Sequence, residues 1–344
     1  MKKGIFHITL LIMCLVAFVI PTKAAEPYLV HRFNPDAIGV HHNITTILQD
    51  SKGYIWIGTQ EGLYRYDGNE CRKMDIPVSN PGYLSIKDLC EDANNDIWIA
   101  SIAGLTRFDS CANKIVTYQS PEFDSSAHVT KIVKTADNAI IVSARDNGVY
   151  RIGTQRYECT PIKLNGGGSY YSSSLCSSDD GSIYILVRDK GIYTLRPFDK
   201  GVANPLTTEQ NNPFQKFPGI ENIEYYNGKL IAGVADETFI YKIATGEVIV
   251  KTWSDVNDAL KLADGTIALA TSRGLVFADK NFNVVRHYVE EQSDLYALND
   301  KSIRAICKDR EDNLWVGTVH EGVYVFYKNT AEINYFYPQA SLRR

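Results

Sequence analysis

The sequence predicts an all-β chain folded as a seven-bladed β-propeller of four-stranded antiparallel blades, closed by an N-terminal strand. Three observations predict it. A stretch of β-branched and aromatic residues broken by Asp/Gly turns, first seen from Ile44 to Asp67, recurs seven times along the chain. Its copies lie about 40 residues apart, the length of one propeller blade. Within each copy the apolar residues form unbroken runs such as Tyr54-Ile55-Trp56-Ile57, as expected of strands covered on both faces.

The repeat is anchored on Trp56, with equivalents at Trp98, Ile141, Tyr184, Ile231, Ala268 and Trp315, at spacings of 42, 43, 43, 47, 37 and 47 residues. The residue before the anchor is Ile or Leu in all seven copies, and the residue eight before it is always apolar. Two residues beyond it stand Gly58, Ala100, Ser143, Leu186, Gly233, Ala270 and Gly317, six of them small, which fits close approach of adjacent sheets. A Gly followed by an apolar residue opens the third strand in six copies; the fifth has Glu237-Thr238-Phe239 instead. Radial closure removes the exposed edges that an all-β chain must otherwise manage. A helical solenoid of similar period is disfavoured by the aromatic and β-branched runs and the frequent turns.

Taken in order, Met1-Lys2-Lys3, the apolar run Ile5 to Ile20 and Pro21-Thr22-Lys23-Ala24-Ala25 have the three parts of a secretory signal, cleaved after about Ala24. An uncleaved anchor is the alternative, but no other apolar run approaches spanning length, so no membrane insertion of the mature chain is expected. Removing residues 1–24 takes three lysines and no acidic residue, moving the net charge from −4 to −7. That balance disfavours nucleic acid and anionic membranes as partners. Export permits disulfides, but Cys90, Cys176 and Cys307 fill one apolar repeat position and read as small buried hydrophobes. The pairing of Cys71, Cys111 and Cys159 stays open.

Residues 25–344 read as one domain, with blades at about 44–75, 86–120, 129–162, 171–200, 221–253, 256–288 and 303–337. Tyr28 to Phe33 is the expected closing strand. Ile333 to Tyr337 also reads as an outer strand, a surplus that looks like a lead into a further segment. Pro197 to Pro218 reads as a surface loop between blades, and Asn165 to Ser169 as a flexible connector.

Catalytic patterns are scarce. No GxSxG elbow is present, and His320-Glu321-Gly322-Val323-Tyr324 lacks the second histidine of HExxH. Asp92-Ala93-Asn94-Asn95-Asp96 has the spacing of a calcium loop, but it lacks the distal Glu and falls on the turn of every blade, so turn chemistry is the reading; no metal and no cofactor is expected. The polar tips between second and third strands carry more information. Arg145, Asp146, Arg188, Asp189, Arg273, His320 and Glu321 should lie on one face, joined by connector residues such as Tyr170 and Tyr171, with His41, His42, Tyr83, His128, Tyr296 and Asp300. Guanidinium and carboxylate groups interleaved with tyrosines suit an oligosaccharide or other small polar ligand. The plain alternative is a set of solvated turn tips. Trp56, Trp98 and Trp315 are core positions, while Trp253 is undecided.

Gln49 to Leu63 and Asn313 to Thr318 resemble two-component regulator propeller repeats, the pattern D-x-x-G-x-hydrophobic-W-hydrophobic-G-T-x-x-G-L. The frame is followed over nearly all of the mature chain, well in copies one, two and seven and in its apolar positions only in three to six. The resemblance implies the N-terminal periplasmic sensor region of a hybrid two-component system histidine kinase from glycan-degrading bacteria. It implies signalling through a second propeller, an immunoglobulin-like domain and a kinase that this chain does not contain, and it carries no binding residue across. A free-standing scaffold for a partner protein is the first alternative. A propeller lyase or glycan-cleaving enzyme is the second, with His320 and Glu321 as its one nearby pair.

Overall fold

In a radial array each sheet must be apolar on both faces, and this is how the strands are used in the computed structural model. The described residues are 28–33, 42–78, 84–168, 170–197, 199, 201–206, 219–289 and 298–328. They form strands and turns without a helix, in seven four-stranded units. Blade one runs Ile44–Gln49, Ile55–Thr59, Gly62–Tyr66, Cys71–Met74 from axis to rim, every neighbouring pair antiparallel. The innermost strands of blades two to seven are Ile86–Glu91, Val129–Lys134, Ser172–Ser177, Ile223–Tyr226, Val256–Lys261 and Ile303–Lys308. Each of the seven packs beside the next, and the last packs beside the first, so the ring is closed. The strand Tyr28–Phe33 completes blade seven by pairing with Val323–Lys328, as the sequence predicts. The ring forms one compact unit over Val30–Lys328. Of the chain outside it, only Tyr28 and Leu29 are described; residues 1–24 and the surplus strand Ile333–Tyr337 fall outside the described residues.

Alternate residues of one strand serve different neighbours. Ile55 and Ile57 pack with Trp315 and Val323 of blade seven, whereas Trp56 packs with Ile86, Ile97 and Phe108 of blade two. Where sheets converge near the axis there is no room for a side chain. A Cβ on Gly58 would stand 2.5 Å from Thr46 Cγ2 and 2.7 Å from Ile86 Cγ2, and one on Gly317 would stand 2.5 Å from Ile44 Cγ2. Farther out the gap widens and rings fill it: Trp56 against Phe108 at 5.0 Å between centroids, Trp98 against Tyr118 at 5.4 Å. Trp253 joins this packing, tilted on Phe282.

The recurrence of Asp six residues before each anchor Trp has a direct cause. Trp56 Nε1 donates to Asp50 Oδ2 at 2.8 Å, Trp98 Nε1 to Asp92 Oδ2 at 2.9 Å and Trp315 Nε1 to Asp309 Oδ2 at 3.0 Å. The other oxygen of each Asp accepts backbone N–H groups of the turn, as Asp92 Oδ1 does from Asn94 and Asp96. Asp96 in turn is taken up by Arg107 and by the Ser110 N–H. The carboxylates of the calcium-like stretch are thus spent on the turn.

Two departures stand out. The outer strand of blade four is Val202–Pro205, inside the stretch the sequence assigns to a loop between blades. Val202 and Ala203 are too short an apolar run to read as a strand among prolines, and Pro205 is tolerated at the end of a rim strand. This strand also pairs in parallel with the rim strand of blade three, Lys163 with Val202 and Leu164 with Ala203, fusing the two blades into one eight-stranded sheet. All six cysteines among the described residues are free thiols, Cys71 and Cys176 buried and Cys111 exposed.

The Asp–Trp tie should be measurable. Removing one partner leaves a buried polar group unpaired, at about 1–3 kcal/mol. A double-mutant cycle of Asp92→Ala and Trp98→Phe in urea unfolding should therefore show a coupling energy of about 1–2 kcal/mol. Additive losses would mean that the bond contributes nothing.

Candidate functional site

The first residue of each innermost strand pairs with the last residue of the second strand, as Ile44 does with Thr59. The tips between second and third strands therefore share one face with the start of the innermost strands. On that face the tips of blades three and four are strapped together. Arg145 donates its backbone N–H to His128 O at 2.8 Å, and its carbonyl accepts from Ser172 at 3.3 Å. Arg188 donates its backbone N–H to Tyr171 O at 3.0 Å. The Tyr171 ring then lies close to two guanidiniums, Arg145 at 5.3 Å and Arg188 at 5.0 Å from its centroid, and Arg145 Nε donates to its hydroxyl. Three of the residues chosen from the sequence thus converge.

Asp146 and Asp189 are exposed at the same two tips, Asp189 with φ of 61°. Tyr170 faces the blade instead. Its hydroxyl donates to Ile162 O at 2.6 Å and accepts from the Val149 N–H at 3.1 Å, and burial pushes its pKa up to about 12. Beside it a cleft of about 470 Å³ opens between Asp146–Val149, the rim strand and Gly167–Gly168, a size that suits a small ligand.

The remaining choices are elsewhere on the ring and are engaged. Arg273 pairs with Asp236 of blade five at 2.5 Å, both exposed. His320 Nδ1 lies 3.3 Å from Asp300 Oδ2, which also accepts the His320 backbone N–H. Glu321 is held by Arg32 of the closing strand at 2.6 Å, so His320 and Glu321 are drawn to different partners and do not converge. His41, Tyr83 and Tyr296 fall outside the described residues.

The residues that sequence reasoning missed line the axis. Six innermost strands carry a bulge at one position, where Thr45, Lys87, Thr130, Ser173, Asn257 and Arg304 are skipped in the pairing. They lie eleven residues before each anchor, and a polar column at that offset is the signal that would have found them. Burial lowers the Lys87 pKa, and the like charges of Arg304 and Arg145 lower it further, against Glu221. Burial, Lys87 and Arg145 likewise lower His128, against Asp146.

One residue deeper the charges reverse. Asp88 accepts the backbone N–H of Ile132 of the next blade, and Asp258 that of Ile306, both at 2.9 Å, so these carboxylates latch blades two to three and six to seven. Lys131 Nζ pairs with Glu224 Oε1 at 3.3 Å. Burial opposes the Lys131 charge, but Glu224, Asp88 and Asp258 outweigh it and raise its pKa. Burial and then Glu224 push Asp258 up to about 7, with Lys131 and two backbone N–H groups opposing.

Comparison with known proteins agrees with this architecture. Residues 39–61 and 297–320 match the family model described as Two component regulator propeller. The fold is similar to the extracellular domain assigned to the hybrid two component system BT3049 of B. thetaiotaomicron, with TM-score 0.71 and 21% identity over 87% of this chain and 42% of that one. The chain therefore spans less than half the length of that domain. It is also similar to virginiamycin B lyase of Staphylococcus aureus (TM-score 0.64, 12% identity, 87% of this chain and 99% of that one). A third likeness is to YCF48 bound to D1 peptide (TM-score 0.64, 10% identity, 88% and 98%). At these identities the likeness concerns the fold. No curated protein matches the sequence. Among the described residues no helix is long and apolar enough to cross a membrane.

The axial charges make stability pH-dependent. The folded pKa of Asp258 lies above its unfolded value, so its contribution to stability declines as pH rises from about 4 to about 7. Lys131→Met leaves the three carboxylates without their cation and should cost about 3 kcal/mol at about pH 8, above the value of about 7 to which Asp258 is raised. At about pH 5, with Asp258 protonated, the loss should be smaller, read from urea unfolding at both pH values. Equal losses would mean that Asp258 does not titrate between them.

Proposed function

We propose that this chain is an exported, periplasmic ligand-sensing propeller, with residues 1–24 as its signal peptide, and that it binds an oligosaccharide on the face formed by blades three and four. The observation that carries the reading is the Arg145–Tyr171–Arg188 cluster on the tips of blades three and four, the first of which also lines the 470 Å³ cleft through Asp146 to Val149. A ring held edge and face by planar donors can stack on a sugar while the guanidiniums bridge vicinal hydroxyls. The regulator-propeller match supports placing it in the sensor region of a hybrid two-component system. Binding would then be passed to a following propeller, an immunoglobulin-like domain and a kinase.

The enzyme alternative rests on likeness of fold to a lyase, and the pair it would need, His320 and Glu321, is divided between Asp300 and Arg32. A scaffold role draws some support from exposed Val250, Val284, Val285 and Val289, but these lie at the rim of blades five and six, away from the tip face.

The test is isothermal titration of the purified mature chain with a panel of defined oligosaccharides. At least one should bind, and Arg145→Ala or Tyr171→Ala should weaken it by about tenfold, an ordinary cost of losing one contact residue. Arg273→Ala, across the ring, should leave it unchanged. A panel without a binder, or equal losses at Arg273 and Arg145, would overturn the assignment.

A further inference from the structure

We infer that the ligand carries an acidic group, a carboxylate or a sulfate, which seats at the mouth of the axial channel on Lys87, Arg304 and Arg145. The inference rests on the sensing reading above and deepens it. Its basis is the ring of bulge residues. Blades seven, one and two contribute Arg304, Thr45 and Lys87 side by side at that position, and the tip of blade three adds Arg145 next to them. No residue of the bulge ring is acidic; Glu221 acts on Lys87 and Asp146 on His128 without forming an ion pair to the mouth cations, and the carboxylates of Asp88 and Asp258 come one residue deeper and are committed to backbone N–H groups of the next blade.

The cations at this mouth differ from three others on the ring. Arg32, Lys131 and Arg273 are each spent on a carboxylate. Among the described residues, Lys87, Arg145, Arg188 and Arg304 form no ion pair. Like charges held together are unfavourable unless something neutralises them; burial first, and then Arg304 and Arg145, lower the Lys87 pKa, against Glu221. A second, independent observation points the same way. Thr45 Oγ1, between Arg304 and Lys87, and His128 Nε2, beside Arg145, are buried and have no hydrogen-bond partner. Both can donate. An anion seated beside them would meet the guanidinium and ammonium groups of the mouth, the arrangement that suits a carboxylate or sulfate. The sugar to which it is attached would then extend towards Tyr171 and Arg188.

The probes are digalacturonate, a sulfated but uronate-free disaccharide and neutral cellobiose, titrated into the purified mature chain by calorimetry. An acidic disaccharide should bind and cellobiose should not, and Lys87→Gln and Arg304→Gln should each weaken binding by about tenfold. Arg304 is exposed, so its variant tests the site even if Lys87→Gln impairs folding. Arg273→Gln, an equal loss of charge outside the mouth, should have no effect. Which acidic disaccharide binds separates a carboxylate from a sulfate. Binding of neutral oligosaccharides alone, or acidic binding indifferent to Lys87 and Arg304, would overturn the inference and leave the sensing reading intact. Absence of any glycan binding would overturn both. Equal affinity for poly-glutamate would replace the saccharide by an acidic peptide and likewise overturn it.

Discussion

Neighbouring blades converge towards the axis until, at Gly58, Gly233 and Gly317, no side chain fits between them, and much of the molecule follows from that convergence. Sheets that lie about 10 Å apart when stacked face to face must approach more closely at the inner end of a radial array. Gly58 and Gly317 occupy this position in blades one and seven, where even a Cβ would meet the next blade at 2.7 Å and 2.5 Å. In blade five Gly233 lies against the backbone of Asp255 and Val256 in the same way. Outward the gap opens, and the repeat answers with large rings tied by their indole N–H to a turn aspartate. Small residues inside and tied rings outside set the wedge shape of blades one, two and seven.

Most of this frame was legible in the sequence because it is a matter of residue type at fixed offset. The anchors, the apolar residue before them, the small residue beyond and the closing strand Tyr28–Phe33 all appear where the repeat places them. The rim of blade four was not legible. Val202–Pro205 is held by pairing with a strand of another blade, and such long-range support leaves no local pattern. The site divides along the same line. Arg145, Tyr171 and Arg188 could be picked out as polar groups on tips, yet nothing in their spacing distinguishes them from Arg273 or Glu321, whose partners come from elsewhere on the ring. Tyr170 shows the converse: adjacent to Tyr171 and of the same type, it alternates to the opposite side and spends its hydroxyl on blade three. Lys87 and Arg304 were hidden by the bulge, since a strand read as regular would send such residues into the sheet stack rather than to the axis.

The axis itself is graded in charge. Cations gather at the mouth, and one residue below them lie Asp88, Glu224 and Asp258 around Lys131. The deeper carboxylates act structurally, since two of them receive backbone N–H groups across blade boundaries, and a charge there fastens neighbours that apolar contact alone would leave free to slide. The upper cations have no such duty. Charge that holds the fold and charge that remains available are thus sorted by depth, in a channel whose innermost strands come from all seven blades.

The parallel seam between blades three and four gives that pair a mechanical character of its own. The two sheets are joined at the rim by Lys163 to Gly201 and Asn165 to Ala203 backbone bonds, and at the face by Arg145 to Ser172. A plate clamped along two opposite margins resists hinging about either one. The Arg145–Tyr171–Arg188 group is therefore mounted on two blades fastened to each other at both rim and face, and bending between them would break backbone bonds as well as apolar contact.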